Sequence, residues 1–578
     1  MRSSRIPPTQ STHIHSAISA AVLLMQFGSS AHAALPPVID LGALESAAGG
    51  DGSVGTVLTV VAPDERFGYS VDSVPDLNGD GRDEALLGGV GDTACLRCAA
   101  FLVRGVEAPR PSINVIRTAL TTDGAAANVF RSADAADTGG RSVGAVGDLN
   151  HDGLPDFAIG ADRGDREGLS NRGEVYVLYG DTDGYPAVLD TLALLPENGG
   201  DGSAGFVVLG DRVDALIGNA LDGGCDINAD GYDDLLIGGN AVSAVLFGEA
   251  GGLAPVVDLA ELMPENGGDG SRGVMLTDEA IAFGQLGLSV SCLGDINADG
   301  IDDFAFGAQL TRLYATQQGA TVVVFGRDDG FPPVLDLGDL LSANGGDGSR
   351  GVVFVGMHER DYAGADVADA GDFNGDGIAD LALSMALSSP QGRENAGRVV
   401  VVYGRAEPFP AEFGLARLLP RNGGDGDEGL VFDSPGGEPQ DESTYEIDQV
   451  TGVGDVNGDG LDDLLIGGFG SRPPGRPEAG AAFLVYGATN FTERVIDLDE
   501  LLPRNGGDGS RGVVLLGARV EDEAGSEVAG GDFNGDGLAD LLIGAPSATR
   551  AGAVGTGLAY IVFGQPGPEA PVSQEVTR

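Results

Sequence analysis

The chain has 578 residues, 88 of them Asp or Glu against 32 basic residues, and a formal net charge of −56. That balance excludes DNA, RNA and an anionic membrane as natural partners, since phosphate recognition needs dense cationic side chains. No Lys occurs, which excludes Schiff-base chemistry, and Trp is also absent. A basic set made only of Arg is expected of a GC-rich bacterial genome.

Arg2 and Arg5 precede an apolar run from Ala17 to Phe27 and then Ala31-His32-Ala33. This is the layout of a secretory signal, residues 1–33, with cleavage expected after Ala33. The run is too short to span a bilayer. Residues 34–565 form the repeat region, and 566–578 are a polar, Pro-rich tail expected to be disordered.

Seven nonapeptides carry Asp, Asn and Asp at positions one, three and five, Gly at six and a carboxylate at nine. They supply Asp76, Asn78, Asp80 and Glu84; Asp148, Asn150, Asp152 and Asp156; Asp226, Asn228, Asp230 and Asp234; and Asp295, Asn297, Asp299 and Asp303. The last three supply Asp372, Asn374, Asp376 and Asp380; Asp455, Asn457, Asp459 and Asp463; and Asp532, Asn534, Asp536 and Asp540. Calcium takes six to eight oxygens, and a short loop supplies them by alternation around one sharp turn. Gly at position six allows that turn, and position seven offers only its carbonyl, so its side chain varies. Up to seven Ca2+ ions are expected. Copy one has Asp83 beside Glu84, which makes its closing ligand the least defined.

Each loop is preceded by a short apolar stretch such as Ser142–Gly147. It is followed by a buried-strand run such as Leu235–Gly239 and, after a variable connector, by a β-branched and aromatic strand such as Tyr176–Gly180. A refrain separates the units: Leu195-Pro196-Glu197-Asn198-Gly199-Gly200-Asp201-Gly202-Ser203, then Phe206–Leu209. It predicts a turn and a fourth strand, with a plain tight turn favoured over a second calcium site. The segment around Thr121–Gly124 is a degraded copy. Four strands in each of seven units predict an all-β, seven-bladed propeller with the acidic loops between first and second strands. The last unit ends at its third strand, Tyr560–Phe563, so the orphan strand near Thr56–Val61 is expected to complete it and close the ring.

These residues resemble the FG-GAP repeats of the integrin α-subunit propeller. Phe67-Gly68 and Phe283-Gly284 match the "FG" element, Gly544-Ala545-Pro546 matches "GAP", and the nonapeptides match that family's calcium loops. Ile217-Gly218, Ala363-Gly364 and Ser384-Met385 depart from the pattern. The resemblance implies calcium on one face and ligand on the other. No inserted adhesion domain is visible.

Cys95 and Cys98 could close a small disulfide or a CxxC redox centre, and export favours the former. Cys225 and Cys292, on inner strands of neighbouring units, read as buried free thiols. Outside the leader only His151 and His358 remain, neither beside a Ser or Cys nucleophile, so no catalytic residue is expected. The function expected is a secreted, periplasmic or surface-bound calcium propeller, monomeric and non-catalytic, binding a protein or acidic glycan. Alternatives are a propeller lectin and a polysaccharide-degrading enzyme. Arg97, Arg163, Arg166, Arg172, Arg312, Arg393, Arg472, Arg476 and Arg550 fall in the connectors opposite the acidic loops and are expected to form a cationic mouth. Arg163-Gly164-Asp165 spells an adhesion tripeptide, read as accidental in so Gly- and Asp-rich a chain.

Overall fold

The computed structural model describes residues 34–567 apart from 61–64, 92–97, 107–109, 133–137, 241, 278–283, 436–445 and 551–554. The signal segment, the Cys95–Cys98 pairing, Arg97, Phe283 and nearly all of the tail lie outside the described residues.

Seven sheets form the blades of a propeller ring. In the second blade, strands Gly139–Gly147, Asp156–Ala161, Glu174–Leu178 and Gly205–Leu209 pair antiparallel in order from the inside outwards. Second strands such as Asp234–Gly238 are buried at every residue, because a blade is covered on both faces by its neighbours. That is why they read as unbroken apolar runs rather than as alternation. The core consequently lies between blades. One cluster joins Val245 and Val274 of the third blade to Phe304, Phe306 and Val322 of the fourth.

Each blade has five strands, not the four expected. The fifth is a three-residue parallel strand on the outer edge, too short to give a sequence signal. After strand Ala320–Val324 of the fourth blade, the chain lays Val334–Asp336 parallel against Met275–Thr277 of the third. It then makes two 3-10 turns, Leu337–Leu340 and Ser342–Asn344, and returns as Gly351–Val355 of its own blade. The refrain is thus a staple between blades. Asp336 Oδ1 accepts from Gly338 N at 3.0 Å, and Asn344 Nδ2 donates to Gly338 O at 2.8 Å. The Gly pair that follows is required: Gly345 has φ +103°, and a Cβ on Gly346 would lie 1.9 Å from Leu340 O. Three residues ahead of the short strand stands a bulky apolar side chain. Phe331 packs on Phe247 and Phe409 on Phe325, both at 6.0 Å between ring centroids.

Gly55–Thr59 pairs antiparallel with Leu558–Val562 as fourth strand of the last blade, and Val38–Asp40 lies parallel to Val514–Leu516 in the sixth. The degraded refrain near Thr121 is an α-helix, Val115–Thr122, ended by Asp123 at φ 52°. Asp201 Oδ1 accepts from Ser203 N at 3.0 Å and from Ser203 Oγ at 2.6 Å, which makes that segment a turn held by its own side chain.

Cys225 and Cys292 are not free thiols. They form a disulfide between the inner strands of the third and fourth blades, with Cα atoms 5.9 Å apart. Their unequal spacing from the loops hid this: one precedes its loop directly, the other by three residues. Both inner strands carry the same register shift, at Gly223/Cys225 and Cys292/Gly294, so the disulfide joins positions that are not equivalent in the two blades.

Candidate metal centres

The seven acidic nonapeptides all connect first and second strands and so share one face. Six fold alike. Asp148 accepts from Asp152 N at 2.9 Å and Gly153 N at 2.8 Å, and Asp152 accepts from Leu154 N at 3.0 Å. The same three bonds recur from Asp226, Asp295, Asp372, Asp455 and Asp532 onwards. Position six is left-handed, as in Gly300 at φ +93°, and position four is left-handed too, as in His151 at 58° and Gly458 at 76°. That second demand explains why position four is Gly in four copies.

The ninth carboxylate is fully buried in every copy. Asp303 Oδ2 accepts from Ile296 N at 3.1 Å and Oδ1 from Gly326 N at 2.9 Å, tying the loop to the end of the third strand. Burial pushes Asp303 up to about 8, hydrogen bonds oppose this, and Asp299 and Asp295 add repulsion. Asp156, Asp234, Asp380, Asp463 and Asp540 are also raised to about 8 by burial.

Copy one differs. Glu84 is the ninth carboxylate, accepting from Leu77 N at 2.8 Å, and Asp83 does another job: its Oδ2 accepts from Asp532 N at 2.7 Å across the join of first and last blades. Position eight acts likewise in Asp233, Asp302 and Asp462, each of which accepts the first amide of the preceding blade's loop. The sequence pattern left that position unassigned. Glu84 also has Arg104 Nη1 3.7 Å away, and Arg82 reaches Asp80 at 3.3 Å. Burial raises Glu84 to about 7, with Arg104 pulling it down. Where copy one has Arg104 before Gly105, the other units have Tyr179, Phe247, Phe325, Tyr403, Tyr486 and Phe563 before Gly.

Among the described residues no three acidic, His or Cys side chains converge into a metal-sized cluster. The donor chemistry still fits a hard divalent cation. Each loop of the six gathers three carboxylates and an Asn amide on one turn, one carboxylate sealed inside, with no ion pair to a loop carboxylate among the described residues.

On the opposite face most of the expected cationic mouth is spent on structure. Arg172 pairs with Asp258 at 2.8 Å, Arg476 with Asp40 at 2.9 Å and Arg393 with Asp497, each acid ending a short outer strand. Arg166 pairs with Glu174 at 3.2 Å, Arg472 with Glu478 at 2.7 Å and Arg550 with Glu45 at 3.2 Å. The connectors supply fixed forks for neighbouring acids, which the scattered sequence positions could not show. Arg163 and Arg312 are exposed, and Asp165 of the tripeptide accepts from Asn171 N at 2.7 Å within its own loop. His151 stands edge-on to Tyr232, and His358 lies between Asp361 and Arg421. The face opposite the acidic loops carries Tyr314, 71% exposed, with Val213, Leu387, Phe469 and Val520 also exposed.

A family model for the FG-GAP repeat matches residues 139–178, 366–402 and 524–562. The chain carries FG-GAP repeats in a β-propeller, and part of it is similar to integrin α-subunits. This FG-GAP propeller is 37% identical over 123 residues to phosphatidylinositol-glycan-specific phospholipase D of Bos taurus, covering 21% of the chain and 14% of that enzyme. It is 28% identical over 183 residues to integrin alpha-5 of Xenopus laevis, covering 31% of the chain and 15% of the relative. With integrin alpha-PS2 of Drosophila melanogaster it shares 27% over 223 residues, 38% of the chain and 13% of the relative. The propeller thus matches a small part of each relative's length. No helix among the described residues is long and apolar enough to cross a membrane.

Proposed function

We propose that this FG-GAP propeller is an exported, non-catalytic binding module, loaded with calcium on one face and holding a protein partner on the other. The observation that carries it is the six alike loops, each with a sealed ninth carboxylate next to two more acids and, among the described residues, no ion pair to a basic side chain. The side chains at positions one, three, five and nine and the carbonyl at seven would hold the ion. Bound calcium would supply the missing positive charge. The residues themselves fix the turn, anchor it to the third strand and, where position eight is Asp233, Asp302 or Asp462, join loop to loop. Copy one brings its own cations, Arg104 and Arg82, so six ions are proposed for seven loops. For the partner, the support is the exposed apolar side chains on connectors opposite the loops, Tyr314 and Phe469 among them. A large exposed aromatic such as Tyr314 is a residue type enriched at protein interfaces.

The test is retention of partners from envelope or host material by immobilised protein, in calcium and in EDTA. Tyr314→Ser with Phe469→Ser should abolish retention while leaving the melting temperature in calcium unchanged. Undiminished retention by that variant would remove the face from the proposal. Identical melting in EDTA and calcium would remove the metal.

A further inference from the structure

The first strand of each blade starts on the face opposite the acidic loops, and the seven together wall an axial cavity of about 500 Å³. At its mouth stand Tyr69, Arg141 and Asn219 of the first three blades, each directly after the Gly that leads into its strand: Gly68, Gly140 and Gly218. They form one bracket. The Arg141 guanidinium lies 5.1 Å from the centroid of the Tyr69 ring, donates to the Tyr69 hydroxyl and, through Nε, donates to Asn219 Oδ1 at 3.1 Å. Arg141 is thus held in place by neutral groups on both sides, which orient its charge without cancelling it. Its Nη2 makes no hydrogen bond among the described residues. Arg66, three residues before Tyr69, lines the same cavity and is exposed.

Neither Arg66 nor Arg141 has an ion pair among the described residues, whereas Arg172, Arg393 and Arg476 on the same face each hold an acid. Acids of the cavity wall are near but engaged elsewhere. Asp72, Asp222 and Asp366 each accept a backbone N–H of a neighbouring blade, from Ala145 at 2.7 Å, Cys292 at 2.9 Å and Val450 at 2.8 Å. Glu523 accepts from the Ser547 hydroxyl. Glu527 lies one residue further along its strand than Ser526, the seventh blade's counterpart of Tyr69, and so deeper than the bracket. The mouth therefore keeps two uncompensated guanidinium groups in a chain of net charge −56.

We propose that this mouth grips a carboxylate on an acidic loop of a protein partner, with Arg141 as the fixed fork and Arg66 as the second cation. The proposal rests on the reading of this face as the partner-binding face and names the chemistry it selects. A planar fork that is already oriented loses little further freedom when it takes a carboxylate, which is why such an Arg binds oxyanions well. The acids deeper in the cavity repel a multiply charged anion more than a single carboxylate, so phosphate is disfavoured. Leu288 and Phe469, from the fourth and sixth blades, line the same cavity and suit apolar neighbours of the acid on a protein loop.

The experiment titrates the full chain, saturated with calcium, with the peptide acetyl-Gly-Leu-Glu-Leu-Gly-amide and with its Gln counterpart, followed by NMR of the peptide. One Glu peptide per chain is expected, with the Gln peptide at least tenfold weaker. Arg66→Gln/Arg141→Lys should weaken the Glu peptide at least tenfold, because Lys keeps the charge and loses the fork. Arg163→Gln, at an exposed arginine of a connector on the same face, should change nothing. Melting temperature reports whether the double variant is folded. Arg66→Gln alone touches only an exposed side chain and should still weaken binding at least threefold. No binding of the Glu peptide, equal binding of the Gln peptide, or equal binding by the Arg66→Gln and double variants would each overturn the clamp. If the clamp fails while partner retention still depends on Tyr314 and Phe469, the binding face stands without it; if retention ignores those residues, the face itself falls.

Discussion

The first acidic loop and the other six look alike in sequence and solve one electrostatic problem in two ways. All seven bury a carboxylate at the ninth position. In copy one, Arg104 stands 3.7 Å from it in the place where the other units have an aromatic ring. In the six, no ion pair reaches the buried acid among the described residues, and on our proposal calcium supplies the balancing charge. If the proposal holds, a repeat keeps its motif while changing the source of its cation, and the residue that decides lies outside the motif, some twenty positions downstream.

The strongest way to break this comparison is to remove the internal cation. Arg104→Met should leave Glu84 buried and unpaired, costing about 3–5 kcal/mol in EDTA. Added calcium should restore most of that loss by making copy one behave like its sisters. Unfolding by denaturant with and without calcium measures it. A loss that calcium does not touch would mean copy one differs in more than charge.

A second test uses the covalent bond between the third and fourth blades. Breaking Cys225–Cys292 releases a loop of 67 residues, worth about 2–4 kcal/mol. Cys225→Ser/Cys292→Ser should widen the gap between melting in calcium and in EDTA, because the third and fourth loops then lose a tie that does not depend on metal. A gap that stays constant would show that disulfide and loops act independently.

The smallest effect per step is the slope with pH, read in saturating calcium so that the loops stay satisfied. Asp448 and Asp222 have folded values near 8 and 7, above the ordinary carboxylate range. The folded chain therefore holds protons that the unfolded chain has lost, and stability falls as pH rises from about 4 towards 8. The slope is at most about 1.4 kcal/mol per pH unit for each such group. Asp448→Asn should flatten the profile between pH 6 and 8. An unchanged profile would mean that Asp448 does not titrate there.

Much of this was legible in the sequence, for a physical reason. A calcium-type loop fixes residue type at five of nine positions, and a strand buried on both faces fixes an apolar run, so seven copies declare the blades and the acidic face. What escaped notice was set by partners far along the chain. Asp258, Asp497 and Asp40 look like ordinary turn acids until Arg172, Arg393 and Arg476 are seen beside them. The short outer strands are three residues long and belong to the blade before their own unit. Asp83 reads as a spare ligand of its loop, yet it clasps Asp532 across the closure of the ring. The cysteine pair joins non-equivalent positions of two inner strands, which no spacing rule announces.

The central claim is that six loops, and not the first, take calcium. Native mass spectrometry of metal-stripped protein titrated with calcium counts the ions directly. Six per chain at saturation, rising to seven in Arg104→Met, is the result this account predicts. No bound calcium, or seven in the unaltered chain, would contradict it.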